Sequence, residues 1–310
     1  LNWSAAEAFH PTDMINARNL DSNIENAEKM GEPMVSLRLR FLNGGLTGYY
    51  MPVRMAPRFP SPNSRLTPYA GVRLSEALWS GSDGAVSDDQ FAHQYAFRLD
   101  QTIGQGDLSL HYVAHNDRLL PAIALEQSSL SPTPIFPFVQ RFGGSFVQAV
   151  GDWLIKLEAD HIRPGAMTVG SSLNLVQAPP ADHTLFAAGA EYGWSYESGA
   201  EGTLIVEAQL LILPDGSDLE RNQMGPFQRD MLLGYRHSLN DEMSTEFMLG
   251  LILDVERPGE FLGSLSYRTR LSDVWAVHGQ LRTIRATDEI SFLSGQDGSH
   301  SAYLDFIRAF

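Results

Sequence analysis

Arginines stand in i, i+2 pairs at two places, Arg38/Arg40 in "PMVSLRLRFL" and Arg268/Arg270 in "SYRTRL". Residues two apart on a strand project from the same face, about 7 Å apart. Guanidiniums at that spacing can pass a carboxylate or phosphate from one to the next, because each offers a planar fork of donors. In the same alternating register lie Arg236, His278 and Arg282, and a set of carboxylates, Glu158, Asp160, Glu191, Glu207, Glu246 and Asp254, with Lys156 and Gln209 among them. The spacing predicts a basic wall (Arg38, Arg40, Arg236, Arg268, Arg270, Arg282) facing an acidic one (Glu158, Asp160, Glu191, Glu207, Glu246, Asp254). Such a transverse field favours water and polar solutes and makes passage costly for apolar ones.

Other constellations are weaker. His93 in "FAHQYAF" shares a face with Phe91, Tyr95 and Phe97, but no serine is placed beside it to serve as a nucleophile. It reads as the histidine of an aromatic girdle, and no enzymatic activity is expected. "SGSDGAVSDD" (80–89) and "PDGSDLE" (214–220) are acidic loops without the twelve-residue calcium spacing. His111 and His115 lie four apart, which on a strand is about 13 Å, too far to share an ion. No metal and no cofactor is expected.

The elements that position these residues are strands. Hydropathy alternates with period two over most of the chain. In the first clear segment Val35, Leu37, Leu39 and Phe41 fall on one face, and Ser36, Arg38 and Arg40 on the other. Comparable segments are expected near 34–42, 46–56, 91–102, 107–116, 138–150, 153–163, 183–197, 202–213, 227–239, 242–255, 260–271, 274–286 and 301–310. Each is long enough for a tilted strand to cross a bilayer. Short connections such as "NGG" (43–45) and "GDW" (151–153) alternate with long ones at 57–90, 117–137, 164–182 and 214–226. Short turns at one end and long loops at the other are the pattern of an up-and-down outer-membrane β-barrel. The proline-rich stretches "PRFPSPNSRLTP" (57–68) and "SPTPIFPF" (131–138) fall in the long loops and are expected to form no core.

Composition agrees. The 310 residues carry 37 acidic and 22 basic side chains, a formal charge of −15, which argues against a nucleic-acid partner. No cysteine is present, so disulfides and thiolate metal sites are excluded. No apolar run approaches the length of a transmembrane helix.

The stretch Trp3-x6-His10-Pro11-Thr12-Asp13, followed by "GEPMVSLRLRFLNGGLTGYYMPV", resembles a segment of bacterial outer-membrane channels of the alginate-export type and related porin-like families. The resemblance covers residues 1–56, with Ser4 where glycine is usual. It implies a β-barrel in the bacterial outer membrane, with strands preceding this segment, and an anionic polymer as solute. The closing "AYLDFIRAF" resembles the terminal signal strand read by the barrel-assembly machinery. Leu304, Phe306 and Phe310 share one face, and Arg308 stands where an apolar residue is usual.

An even strand count predicts a strand before 34–42, so about 14 strands in all, or 16 if more precede Leu1. The whole chain, 1–310, is expected to form one barrel, with 5–32 as an inserted loop and short helix that either folds into the lumen and narrows it or lies on the surface of an outer loop. Ser22 and Glu25 form a capping box for a short helix over 20–31. The expected function is a passive channel for a small polar solute or polysaccharide, the arginine pairs favouring an anion and the net charge favouring cations at the mouths. The expected partners are outer-membrane lipid, lipopolysaccharide and the assembly machinery. Two alternatives stand beside it. One is a plugged structural or adhesion barrel acting through its outer loops. The other is a hydrophobic-compound channel with a lateral exit, suggested by Leu211, Leu232 and Ile252 on inward registers.

Overall fold

The computed structural model describes residues 3–13, 15–21, 27–64, 73–127, 131–214 and 216–308. About 58% of the chain is strand and 3% helix, so the protein is all-β. Thirteen strands form one antiparallel sheet in chain order. They are β1 (Val35–Phe41), β2 (Gly44–Val53), β3 (Phe91–Ile103), β4 (Gly106–Asn116) and β5 (Phe138–Val150). Next come β6 (Trp153–Pro164), β7 (His183–Ser195), β8 (Glu201–Ile212) and β9 (Arg229–Ser238). The last four are β10 (Glu246–Asp254), β11 (Phe261–Arg270), β12 (Trp275–Arg285) and β13 (His300–Arg308). Each pairs with its sequence neighbour, so no connection crosses the sheet. Among the described residues β1 and β13 are its two edges and do not pair with each other, so no closed barrel is formed there.

The short turns have a local cause. Asn43 at φ 61° turns β1 into β2, and Gly104 at φ 62° turns β3 into β4. Both lie in the left-handed region that asparagine and glycine enter at least cost.

The two faces of the sheet differ. One face is covered from within, by residues 3–18 and by the long connections. An apolar row, Ala187, Ile205, Leu232, Ile252, Leu262 and Ile284, runs along it across β7 to β12 and is buried with Phe9 and Leu293. The other face has nothing packed on it among the described residues. It exposes Phe91, Tyr95, Phe97, Phe142, Trp153, Leu204, Leu249, Leu265, Leu281 and Leu304.

The long connections are ordered where they read as structureless loops. Leu173–Gln177, Ala122–Glu126, Pro132–Phe136, Leu78–Ser80 and Val86–Ser87 form a second, five-stranded sheet in that spatial order. Ala122, Ala124 and Ile135 are its buried core, and the Trp79 and Phe136 rings lie 5.1 Å apart. The proline-rich "SPTPIFPF" therefore contributes a core strand. Pro132 and Pro134 fit because the neighbours of a short strand leave some of its positions undemanding of an N–H. Asn116, at the end of β4, donates to Ser80 and Phe136 carbonyls at 2.8 and 3.0 Å and ties this sheet to the large one.

"PDGSDLE" holds a short helix, Asp218–Gln223, with Ser217 and Glu220 as its capping box. The helix expected over 20–31 centres on residues 22–26, which lie outside the described residues. At its end Glu28–Lys29 is extended and pairs with Arg18–Asn19.

Candidate functional site

The covered face of the large sheet carries the charged side chains, and residues 3–18 run across it. Trp3 packs against Tyr49 of β2 and His111 of β4, with ring centroids 5.7 and 5.2 Å away. The Arg98 guanidinium of β3 lies 5.2 Å from its ring centroid. Farther along, Glu158 of β6 accepts from Ser4 Oγ (2.7 Å), the Ala5 and Ala6 amides (2.6 and 2.9 Å) and Thr12 Oγ1 (2.8 Å). Glu207 of β8 accepts from the Glu7 and Ala8 amides at 2.6 and 3.0 Å. Phe9 then enters the apolar row of β7 to β12. The segment thus reaches from β2 to the far strands and, among the described residues, enters a ladder only at Arg18, which pairs with Lys29. Two carboxylates take up backbone donors that would otherwise be buried unpaired.

Asp13 closes the segment back on its start, accepting from the Trp3 amide at 3.4 Å. It forms ion pairs with Arg18 at 3.4 Å and with Lys29. His10 donates to or accepts from Ser4 Oγ at 3.0 Å. Burial pushes the His10 imidazole below its ordinary pKa, against the opposing pull of Asp13 and Glu158.

Both walls expected from the sequence lie on this face, but they are not cleanly separated. Asp160 accepts from His111 Nε2 at 3.0 Å and Arg141 Nε at 2.7 Å. The His111–Asp160 contact passes over Gly143 of β5, which is in register with both. A Cβ there would sit 2.6 Å from Asp160 Oδ1 and 2.8 Å from His111 Cε1. Glycine is what lets the two side chains meet across an intervening strand. Glu191 bonds to Lys156 and, at 3.4 Å, to Arg236, while Glu7 of the crossing segment lies 3.9 Å from both cations. Arg236 accordingly belongs with the acidic strands rather than with the basic wall. Glu246 is in register with Arg268. Asp254 pairs with Arg257 at 2.8 Å. Arg282 is in register with Ser264 and Ser301.

Arg38 and Arg40 stand on the edge strand β1. Arg38 is half exposed and 4.0 Å from Asp100, which is also held by Arg98 at 2.7 Å. Arg270 is exposed at the short-turn end of β11. The arginine pairs are therefore the least neutralised cations among the expected site residues, and Glu158, Asp160 and Glu207 the most committed anions.

Of the closing strand, Leu304 and Phe306 are exposed on the uncovered face, and Phe310 lies outside the described residues. Arg308 stacks on Trp275 with its guanidinium 5.7 Å from the ring centroid. That contact gives the out-of-pattern arginine an aromatic partner. His93 is on the same uncovered face, bonded to the Tyr50 hydroxyl at 2.9 Å.

Sequence reading missed Arg141, Arg118 and Glu32. Arg118 and Glu32 form a bidentate pair, both bonds 3.0 Å, with both side chains fully buried. Both lie outside alternating strands, so period-two arguments do not reach them. A cavity of about 560 Å³ opens between Phe9, His10, the covered face of β5, β7 and β8, and the long connections. No group of side chains suited to a metal ion is found among the described residues.

No family model matches the sequence, and neither does a curated protein or a solved structure.

Proposed function

We propose that this chain forms the wall of a β-barrel in the bacterial outer membrane and acts as a passive channel for polar solutes, anionic ones favoured. The observation that carries the reading is the inverted sheet. Charged side chains concentrate on the covered face, beside the buried apolar row, and exposed aromatic and aliphatic side chains on the uncovered one, where Arg229, Arg285 and Arg308 stand only at strand ends. Near the short-turn end an aromatic row runs along the uncovered face through register partners. Trp153 is opposite Tyr192, and Gly202, His237, Phe247 and Tyr267 follow one another across β8 to β11, with the Trp194 ring lying over Gly202. Such a band is what a membrane–water interface selects, since one side of each ring is apolar and its tip is wet.

In this reading lipid and lipopolysaccharide contact the uncovered face, and the assembly machinery reads β13. Segment 3–18 and the second sheet narrow the lumen. The arginine pairs supply anion preference, in keeping with the resemblance of residues 1–56 to alginate-export channels. The second reading, a conduit for hydrophobic compounds, is favoured by one observation, the apolar lining of the cavity beside Leu185 and Leu211.

The test is swelling of proteoliposomes in isotonic solutes. Glucuronate is expected to enter, and faster than glucosamine. Failure of both to enter would contradict the channel and leave a plugged barrel.

A further inference from the structure

We propose that the 560 Å³ cavity is a binding site for an organic anion with an apolar body, of the aromatic-carboxylate class. The inference rests on the cavity and not on conduction, so it holds or fails apart from the channel reading.

Its volume is that of sites which enclose a small organic molecule. Its wall is graded. Leu185 and Leu211 are register partners on β7 and β8, and Leu213, Phe227 and Phe292 continue the apolar surface from the connections. At the other side stand Arg141 of β5 and His183 of β7, both in register with Ile162 between them. Arg141 is 5% exposed. It bonds to Asp160 through Nε alone, and its two terminal nitrogens make no hydrogen bond among the described residues. His183 uses Nδ1 on the Ala181 carbonyl at 2.8 Å, which leaves Nε2 for a ligand.

The other charges on the wall are already occupied. Arg118 bonds to Glu32, Gln94 and the Asn116 carbonyl. Arg18 bonds to the Ala27 carbonyl and to Asp13. Asp117 accepts from the Leu119 and Leu120 amides, and Glu220 caps its helix. Arg141 is thus the cation left with a fork of donors toward the cavity. A carboxylate seated there would make a bidentate, charge-assisted contact in a poorly hydrated setting, and its ring would cover the leucines. A simple inorganic anion would leave the apolar part of the wall uncovered, and a neutral hydrocarbon would leave the fork unpaired.

The experiment is equilibrium binding of 2-naphthoate to the purified chain in lipid nanodiscs, with 2-naphthamide as the uncharged isostere and empty nanodiscs subtracted. Saturable binding at one site is expected, with the amide weaker by about tenfold or more, as the loss of a charge-assisted hydrogen bond dictates. Arg141→Gln with Asp160→Asn keeps the local charge balanced and should bring the acid down to the level of the amide. Leu213→Trp, on the half-buried rim, should fill the cavity and abolish binding of both. Equal affinity for acid and amide, binding that survives Leu213→Trp, or no saturable binding would each overturn the proposal.

Discussion

Glu158 serves four donors of residues 4–12, so it is the side chain on which the crossing segment most depends. Removing a buried charged acceptor strands its partners, at about 2–4 kcal/mol for a cluster of this kind. Glu158→Ala is expected to release the segment while the large sheet persists. Hydrogen exchange of the Ala5 and Ala6 amides would rise, and that of β9 to β12 would stay unchanged. His10 adds a pH dependence. Its folded pKa is depressed by burial, so the unfolded segment binds the proton more readily. Stability of the segment is therefore complete above about pH 6.5 and is lost as pH falls below it. The protection factors of the Ala5 and Ala6 amides, referred to the intrinsic rate at each pH, are expected to fall between pH 7 and pH 5, and His10→Gln should flatten that profile. An equal fall in protection in His10→Gln would assign the effect to another group.

At the scale of elements, Gly143 is the position where sheet geometry and side-chain chemistry constrain each other most. A side chain there meets Ala159 O at 2.4 Å as well as His111 and Asp160. Gly143→Val should cost several kcal/mol through overpacking, about 2–4 by the usual scale. It is read as a lowered urea midpoint, with Gly104→Ala as a milder control at a turn. The thirteen long strands were legible in the sequence because one face of each is mainly apolar, so alternation survives from Val35 to Phe306. The facing of Glu158, Asp160, Glu191 and Glu207 followed from the same alternation. Their partners did not follow. Residues 3–13 satisfy their amides through distant carboxylates and so show no period at all. The second sheet was missed for a related reason. Its strands are two to five residues long, Ala122, Ala124, Ile135 and Phe136 are buried in runs rather than in alternation, and Pro132 and Pro134 suggest a loop. The separation of the two walls was overestimated because Arg236, placed with the basic residues by residue type, reaches across β8 to Glu191 and bonds to it.

For the whole molecule, the five tryptophans divide between the two faces. Trp3 and Trp79 are buried within, at 5% and 1% exposure, while Trp153, Trp194 and Trp275 stand on the uncovered face. If that face meets lipid, brominated acyl chains will quench the fluorescence of Trp153, Trp194 and Trp275 and spare Trp3 and Trp79, as variants retaining one tryptophan at a time would reveal. Uniform quenching, or none, would remove the membrane from the account. The exposed edges β1 and β13 set a second requirement. Strands with one open side and with Val35, Leu37, Leu39, Phe306 and Ile307 exposed pair readily with other chains, so a stable molecule must cover them.

The most direct test of the channel is conductance in a planar bilayer with the reversal potential read across a salt gradient. Steady ohmic conductance with a reversal potential of anion-selective sign is predicted, because this account gives the exposed Arg38, Arg40 and Arg270 the selecting role over the exposed Asp107, Glu201 and Asp305 of the same face. Glu158→Ala should raise the conductance by freeing residues 3–13. A correctly folded, inserted protein that stays silent in both forms would contradict a channel, and cation selectivity would contradict the role given to the arginine pairs.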